Sequence, residues 1–472
     1  MSWTCASAGT IERSGASESV GESLKEDILS SSLLLKGGTI VTMNAKRDVF
    51  AGDVLIKDGI IAAVGGALQE TFGSAGRVID VGGCYVLPGF VQTHVHLCQT
   101  LFRGLVEYAG LGKWLERVWN LEAAHDPRSM YYSTLLGCCE LLKSGTTCIL
   151  DMGSVHHQEH VFRALSESGM RAFAGKAMMD CGDSVPAGLR ESTRQSLEET
   201  LGLISHWHGA NDGRIRYAPA PRFMESCSDE LLRTVSEKAR ELGLLIHSHA
   251  AETEEELNNC RIKHGVSPVA FLHSIGLTGR HVVLAHCVHL ETQDFGILSD
   301  TGTKVAHCPS SNLKLSSGIA DVGRMLRSGV KVSLGCDGAP CNNNLDMITE
   351  MRLAALLQRY LNGDEFQWAQ AVLEAATLGG AGALGLSDTI GSVEPDKKAD
   401  ITVIDVTRAH AFCGADCDPS ARVVFSARGS DVKFVIVEGQ VLVENGSLTK
   451  LDEQKIVAQS AEELKKLVVR CN

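Results

Sequence analysis

From Leu33 the chain alternates short β-branched runs with Gly, Asp and Asn turns: "LLLKGGTIVTMN", "DVLIKDGIIAAVGG" and "RVIDVGGCYVLPGF". Such runs predict consecutive antiparallel strands. The same texture returns in "GSVEPDKKADITVIDV" and "VKFVIVEGQVLVENG", so the two ends are expected to pair into one small β domain around a separately folded middle. In that middle the apolar spacing changes. Leu231, Leu232, Val235, Ala239 and Leu242 recur at helical intervals in "DELLRTVSEKAREL", behind a capping Ser228 and ahead of Gly243, and "LLIHSHA" follows as a buried strand. With "YVLPGFVQTHVH", "GTTCILDM", "RAFAGKAMM", "RIRYAPAP", "HVVLAHC", "TKVAHCPS" and "KVSLGCDG" this makes eight strands separated by helical stretches over about 300 residues, the count and length of a (β/α)8 barrel.

The pattern therefore predicts an α/β chain: a TIM-type barrel over residues 86–385 and a small β-sandwich domain from residues 33–85 and 386–448. A helical segment over 449–472 follows. Residues 1–32 are rich in Ser, Gly and Glu, with too little apolar surface to offset ordering entropy, and are expected to form a flexible tail.

Composition narrows the function classes. The 472 residues exceed what one hydrophobic core usually organises, and with 44% hydrophobic and 21% charged residues the chain is globular rather than disordered. A formal net charge of −13, with no run of Lys and Arg to track phosphates, argues against nucleic acid or an anionic membrane surface. A small neutral or cationic ligand fits better. No run is long and apolar enough to span a bilayer and no signal-peptide layout opens the chain, so a soluble cytoplasmic protein is expected. The 16 cysteines are scattered, often in apolar runs such as "LLGCCELL" and "AHCPSSN", and are expected to be reduced core residues.

Candidate chemistry gathers where the expected barrel strands end, the rim that carries catalytic groups in this architecture. Strand one ends in His94-Val95-His96, strand five in His249 with Glu252 just beyond, strand six in His286 and strand eight in Asp337. Side chains two apart on a strand point the same way, so His94 and His96 can reach one ion. His249 and Asp337 would complete a nitrogen and oxygen donor set suited to zinc first and iron second. Glu252, on the loop leaving its strand, is placed to act as a general base on water activated there. His281, His289 and His307 are read as hydrogen-bonded core residues.

These residues, within "PGFVQTHVHL", "HSHAAETEEE", "LAHCVHL", "HCPSSNLKLSSG" and "LGCDGAPCNNNLDMITEMRLAALLQ", resemble the amidohydrolase superfamily in its cytosine-deaminase and triazine-hydrolase-like branch. The resemblance covers about residues 33–448, and the last two motifs look most like the deaminases of 5'-deoxyadenosine, 5'-methylthioadenosine and S-adenosylhomocysteine. It implies hydrolytic deamination of an adenine nucleoside in a homo-oligomer, with one divalent metal held by His94, His96, His249 and Asp337. It also implies acid-base roles for Glu252, His286 and Asp337. Binuclear relatives carry a lysine at the end of strand four; "RIRYAPAPRF" has none, and Lys176 sits on strand three.

Glu122 matches the position where adenosine-type relatives hold ribose hydroxyls. Arg222 stands where some relatives have histidine and resembles the "PRF" of guanine deaminases, while Lys176 and Arg190 are candidates for a carboxylate on a long 5' tail. The competing readings are a guanine deaminase or triazine hydrolase of the same branch and, more weakly, an inactive scaffold. The full set of ligands and acid-base residues opposes the last.

Overall fold

The computed structural model describes residues 32–68, 76–107, 109–414 and 417–471. The expected tail lies outside these residues except for Ser32, which opens a strand.

The eight apolar runs of the middle region coincide with eight strands: Phe90–His96, Thr146–Asp151, Arg171–Ala174, Ile215–Tyr217, Ile246–Ala250, Val282–His286, Lys304–His307 and Lys331–Leu334. The first four pair in parallel, as do the last four. His247 N donates to Pro219 O at 3.0 Å and links strand five to the segment leaving strand four. At the other seam Asp337–Gly338, just past strand eight, pairs with Val95 and His96. The ring is a TIM-type barrel, and Val91, Leu150, Phe173, Val283 and Ala306 contribute to one buried cluster inside it.

The helix Asp229–Leu242 shows how the sequence places the outer layer. Ser228 Oγ accepts from Leu231 N at 3.1 Å, and Gly243 ends the helix at φ 66°. Leu231, Leu232, Val235 and Ala239 are buried, whereas Leu242 is 48% exposed, past the end of the buried stripe.

Both chain ends build one nine-stranded sheet. Cys84–Pro88 joins the halves, pairing antiparallel with Ile401–Asp405, Val86 opposite Val403. Leu35, Ile40, Val54, Ile56, Val86 and Phe434 share this sheet's core. The expectation of consecutive antiparallel pairing holds for Ser32–Val41, Val49–Lys57 and Ile60–Gly65. It is corrected for Arg77–Asp80 and Cys84–Pro88, which both run parallel to the first strand: the former is reached by a longer connection rather than a tight turn, and the latter follows it after three residues in the same direction. The helix Glu453–Cys471 packs on Pro127–Lys143, with Lys143 paired to Glu453 at 2.8 Å.

The cysteine expectation also needs one correction. Cys413 and Cys417 form a disulfide; neither is buried in the core, and their 6.1 Å Cα separation is within bridging reach. The other described cysteines are free and mostly buried. No helix among the described residues is long and apolar enough to cross a membrane.

One buried ion pair ties the barrel to the sheet. Arg171, opening the third barrel strand, donates through Nε and Nη2 to Asp400 at 2.8 and 3.1 Å, and Asp400 also accepts from Glu438 N at 2.9 Å. Asp400→Ala leaves the buried Arg171 guanidinium with only the more distant Glu438 carboxylate, 4.0 Å away, and is expected to cost about 3 kcal/mol. Urea unfolding that shows a loss below about 1 kcal/mol would remove this pair from the account.

Candidate active site

The first barrel strand brings His94 and His96 to a common focus. Their Nε2 atoms both lie 3.3 Å from Asp337 Oδ1, and His249 Nε2 is 3.2 Å from His96 Nε2. Donor atoms of His94, His96 and His249, and those of His94, His286 and Asp337, lie within 4.8 Å of one another. The backbone is held there against its own preference. Asp337 has φ 62° and His286 φ 71°, the left-handed region that side chains rarely adopt. Glycines flank Asp337 because a Cβ on Gly335 would meet His94 O at 2.6 Å, and one on Gly338 would meet Gln99 Oε1 at 2.1 Å.

The donor chemistry fits a divalent metal. Burial lowers the pKa of His94 and drives those of His96 and His249 well down, so these imidazoles stand neutral with lone pairs available. Against burial, the surrounding histidines hold Asp337 well below the usual carboxylate range. His94 Nε2 is buried without a hydrogen-bond partner although it faces the cluster, an arrangement that a cation at the focus resolves.

A second layer fixes each ring. His94 Nδ1 lies 2.8 Å from His247 Nε2. His249 Nδ1 donates to Arg222 O at 2.7 Å, and His286 Nδ1 donates to Asn312 Oδ1 at 2.8 Å. Ser311 Oγ donates to Asp337 Oδ2 at 2.6 Å. Such bonds at the far nitrogen set the tautomer that turns Nε2 toward the centre. Glu256 accepts from the N–H groups of Ala251 and Glu252 at 2.9 and 2.7 Å and so shapes the turn carrying Glu252.

Glu252 and His286 face each other, Oε2 to Nε2, at 3.7 Å, and His286 Nε2 is 3.9 Å from Asp337 Oδ2. Burial raises the Glu252 pKa above the usual carboxylate range, while the facing His286 opposes that shift. Burial pulls His286 the other way, but Glu252 and Asp337 prevail and raise it, favouring the imidazolium.

The substrate-side candidates separate into two groups. Glu122 and Arg222 meet: Arg222 Nη1 and Nη2 donate to the Glu122 carboxylate at 2.6 and 3.0 Å, and Gln99 Nε2 donates to it at 2.7 Å. Arg222 also lies over the Trp119 ring, 5.7 Å from its centroid. Lys176 is fully buried, bound to Glu191 at 2.7 Å, Glu199 at 2.8 Å and Val155 O. Arg190 bonds to Gly182 O and Val185 O. Neither borders the cavity over the cluster, whose walls include Gln99, Trp114, Arg222, Phe223, Glu252 and His286. Lys176 is committed to two carboxylates, so the expected tail-binding role is not carried forward for it.

Several residues of the site escaped sequence reasoning. His247 repeats in "HSH" the spacing of His94 and His96 and could have been found by it; Ser311, Asn312 and Gln99 carry no such pattern. Of the three histidines read as hydrogen-bonded core residues, His289 donates to Ser317 O at 2.6 Å. His307 and His281 are corrected: His307 is buried with neither ring nitrogen hydrogen-bonded and lines a cavity, and His281 is only partly buried with its Nε2 unpartnered.

His247→Leu, which removes the acceptor for His94 Nδ1–H, is expected to weaken metal affinity about 10–100-fold. His247→Gln, which keeps an acceptor, should recover much of it. Equal affinity in wild type and His247→Leu, read by chelator competition, would show that His247 merely packs.

The geometry agrees with likenesses found along most of the chain. The Amidohydrolase family model matches residues 85–442. A 5-methylthioadenosine/S-adenosylhomocysteine deaminase of Pelotomaculum thermopropionicum is 39% identical over 443 residues, 93% of this chain and 99% of its own. A 5'-deoxyadenosine deaminase of Methanothermobacter thermautotrophicus is 40% identical, with 90% and 96% covered. An adenosine deaminase from Xanthomonas campestris, solved with bound zinc, superposes with a TM-score of 0.86 at 28% identity, covering 93% of this chain and 99% of that one. With a strand-end histidine and aspartate cluster inside a matched barrel, the chain belongs to the amidohydrolase family and is a hydrolase acting on carbon–nitrogen bonds.

Proposed function

We propose that the protein is a metal-dependent hydrolytic deaminase of adenine nucleosides of the 5'-deoxyadenosine, 5'-methylthioadenosine or S-adenosylhomocysteine type, releasing ammonia and an inosine-like product. The observation that carries the reading is the placement of Glu252 and His286 beside Asp337 at the histidine cluster. The nucleoside class rests on relatives at 39% and 40% identity that span nearly the whole chain.

His94, His96, His249 and Asp337 would hold one divalent ion, zinc before iron, which when bound supplies Lewis acidity and brings a water's pKa toward about 7. Glu252 takes a proton from the attacking water and delivers it to N1 of the adenine ring, which opens C6 to attack. His286, favoured as imidazolium and oriented by Asn312, stabilises the oxygen as it adds. Asp337 takes the remaining proton and passes it to the departing amine. Water and the nucleoside are consumed, ammonia and the oxo product are formed, and every group returns to its starting protonation.

Two observations shape the substrate end. The cavity above the cluster has a volume of about 60 Å³, room for a few waters but below the roughly 300 Å³ at which ligand pockets begin. A nucleoside therefore needs more room than this cavity offers, and Leu111, Trp114 and Leu115 are among the residues that line it. In addition, Arg222 and Gln99 occupy the Glu122 carboxylate that would receive ribose hydroxyls. That pairing favours the second reading, in which Arg222 and Gln99 contact a bare ring such as guanine or an aminated triazine. For the nucleoside reading, Arg222 must release part of Glu122 on binding.

Ammonia release by the metal-loaded protein from 5'-deoxyadenosine, 5'-methylthioadenosine, S-adenosylhomocysteine, adenosine and guanine in parallel separates these readings. Turnover of the adenine nucleosides is expected; guanine alone would establish the second reading, and no ammonia from any of the five would overturn the first. Glu252→Gln should keep its metal and lose about 10²–10⁴-fold in kcat, and metal loss or unfolding in that variant would make Glu252 structural.

A further inference from the structure

A second cavity, of about 960 Å³, lies along barrel strands seven and eight, from Lys304 and Lys331 at their starts to His307 and Leu334 at their ends, and is at the upper end of the size range of small-molecule pockets. Lys304 opens strand seven and Lys331 opens strand eight, and the two are direct register partners in a parallel pair, so their side chains leave the sheet on the same face. Arg280, just ahead of strand six, joins them in lining the cavity.

Among the described residues none of these three cations has an ion-pair partner. Lys304 is only 8% exposed and its ammonium finds one acceptor, the carbonyl of Arg280. Burial and the Arg280 charge push its pKa down to about 8. The one carboxylate on the cavity wall, Glu374, is already paired with Arg47. Like charges side by side on neighbouring strands are unfavourable, and a buried ammonium without a counter-charge more so. Leu326, Val332, Leu334, Phe366, Trp368 and Val372 form an apolar stretch of the wall, which His307, Gln358, Ser299 and Ser387 interrupt.

We infer that this cavity is a second ligand site, separate from the catalytic rim, that takes a carboxylate-headed amphiphile. Its head lies among Arg280, Lys304 and Lys331, and its chain lies along Phe366 and Trp368. The balance of charge selects the head, since the cavity offers three cations and no free anion. The apolar wall selects the tail. The site does not depend on which ring the catalytic centre deaminates, because the two cavities share no lining residue.

The test uses the full-length, metal-loaded protein with dodecanoate as the calorimetric probe and 12-bromododecanoate as a quencher of tryptophan fluorescence. Saturable binding of one molecule per chain is expected, with quenching that disappears in Trp368→Phe. Lys331→Glu, at an exposed position that tolerates substitution, should weaken dodecanoate binding at least tenfold, and Lys304→Gln should do the same. Dodecan-1-ol should bind at least tenfold more weakly than dodecanoate. The absence of saturable binding would overturn the inference, as would dodecanol binding as tightly as the acid or an unchanged affinity in Lys331→Glu. Displacement of dodecanoate by a nucleoside that the protein deaminates would place the amphiphile in the catalytic cavity and also overturn it.

Discussion

A carboxylate held 3.3 Å from two imidazole nitrogens, all of them buried, is the constraint on which the rest of this structure depends. Burial lowers the pKa values of His94 and His96 while that of Asp337 stays well down, so the focus offers neutral nitrogens beside one carboxylate charge, in a place where charge is costly unless it is balanced. A divalent cation at the shared focus meets that need and uses the same lone pairs. The barrel converges strands one, five, six and eight on this point, and two of the residues it brings there, Asp337 and His286, have left-handed backbone.

The layer behind the ligands makes the arrangement specific. The short helix Pro309–Lys314 supplies both Ser311, which fixes Asp337, and Asn312, which fixes His286. Arg222 spans the two halves of the site: its carbonyl receives His249 Nδ1–H, and its guanidinium grips Glu122. One residue thus touches both the ring of His249, through its backbone, and the Glu122 carboxylate, through its side chain. Gln99, beside the first pair of histidines, holds the same carboxylate from the other side.

Much of this was legible in the chain. Apolar runs with polar termini located the eight strands, and the residues at the ends of four of them are the ones the barrel gathers. Local periodicity carries that information because a strand end is defined by its own few residues. The contacts that were missed are non-local. Nothing in the sequence near Glu122 announces an arginine 100 positions later that fills its acceptors. The cavity between Lys304 and Lys331 exists only once two strands align in register. Lys176 misled for the related reason that a lysine on a barrel strand reads as available until the glutamates that bind it are seen. The parallel return of Arg77–Asp80 and Cys84–Pro88 was hidden because alternation reports a strand and not its direction.

The claim that one metal ion is held by three imidazoles and a carboxylate is tested most directly by X-ray absorption at the zinc edge on the metal-loaded protein, with the ion counted per chain. The account predicts one zinc, with nitrogen and oxygen neighbours only, at about 2.0–2.2 Å and with imidazole scattering. A sulfur neighbour at about 2.3 Å, a second metal in the same site, or an unchanged zinc affinity in Asp337→Ala would contradict it.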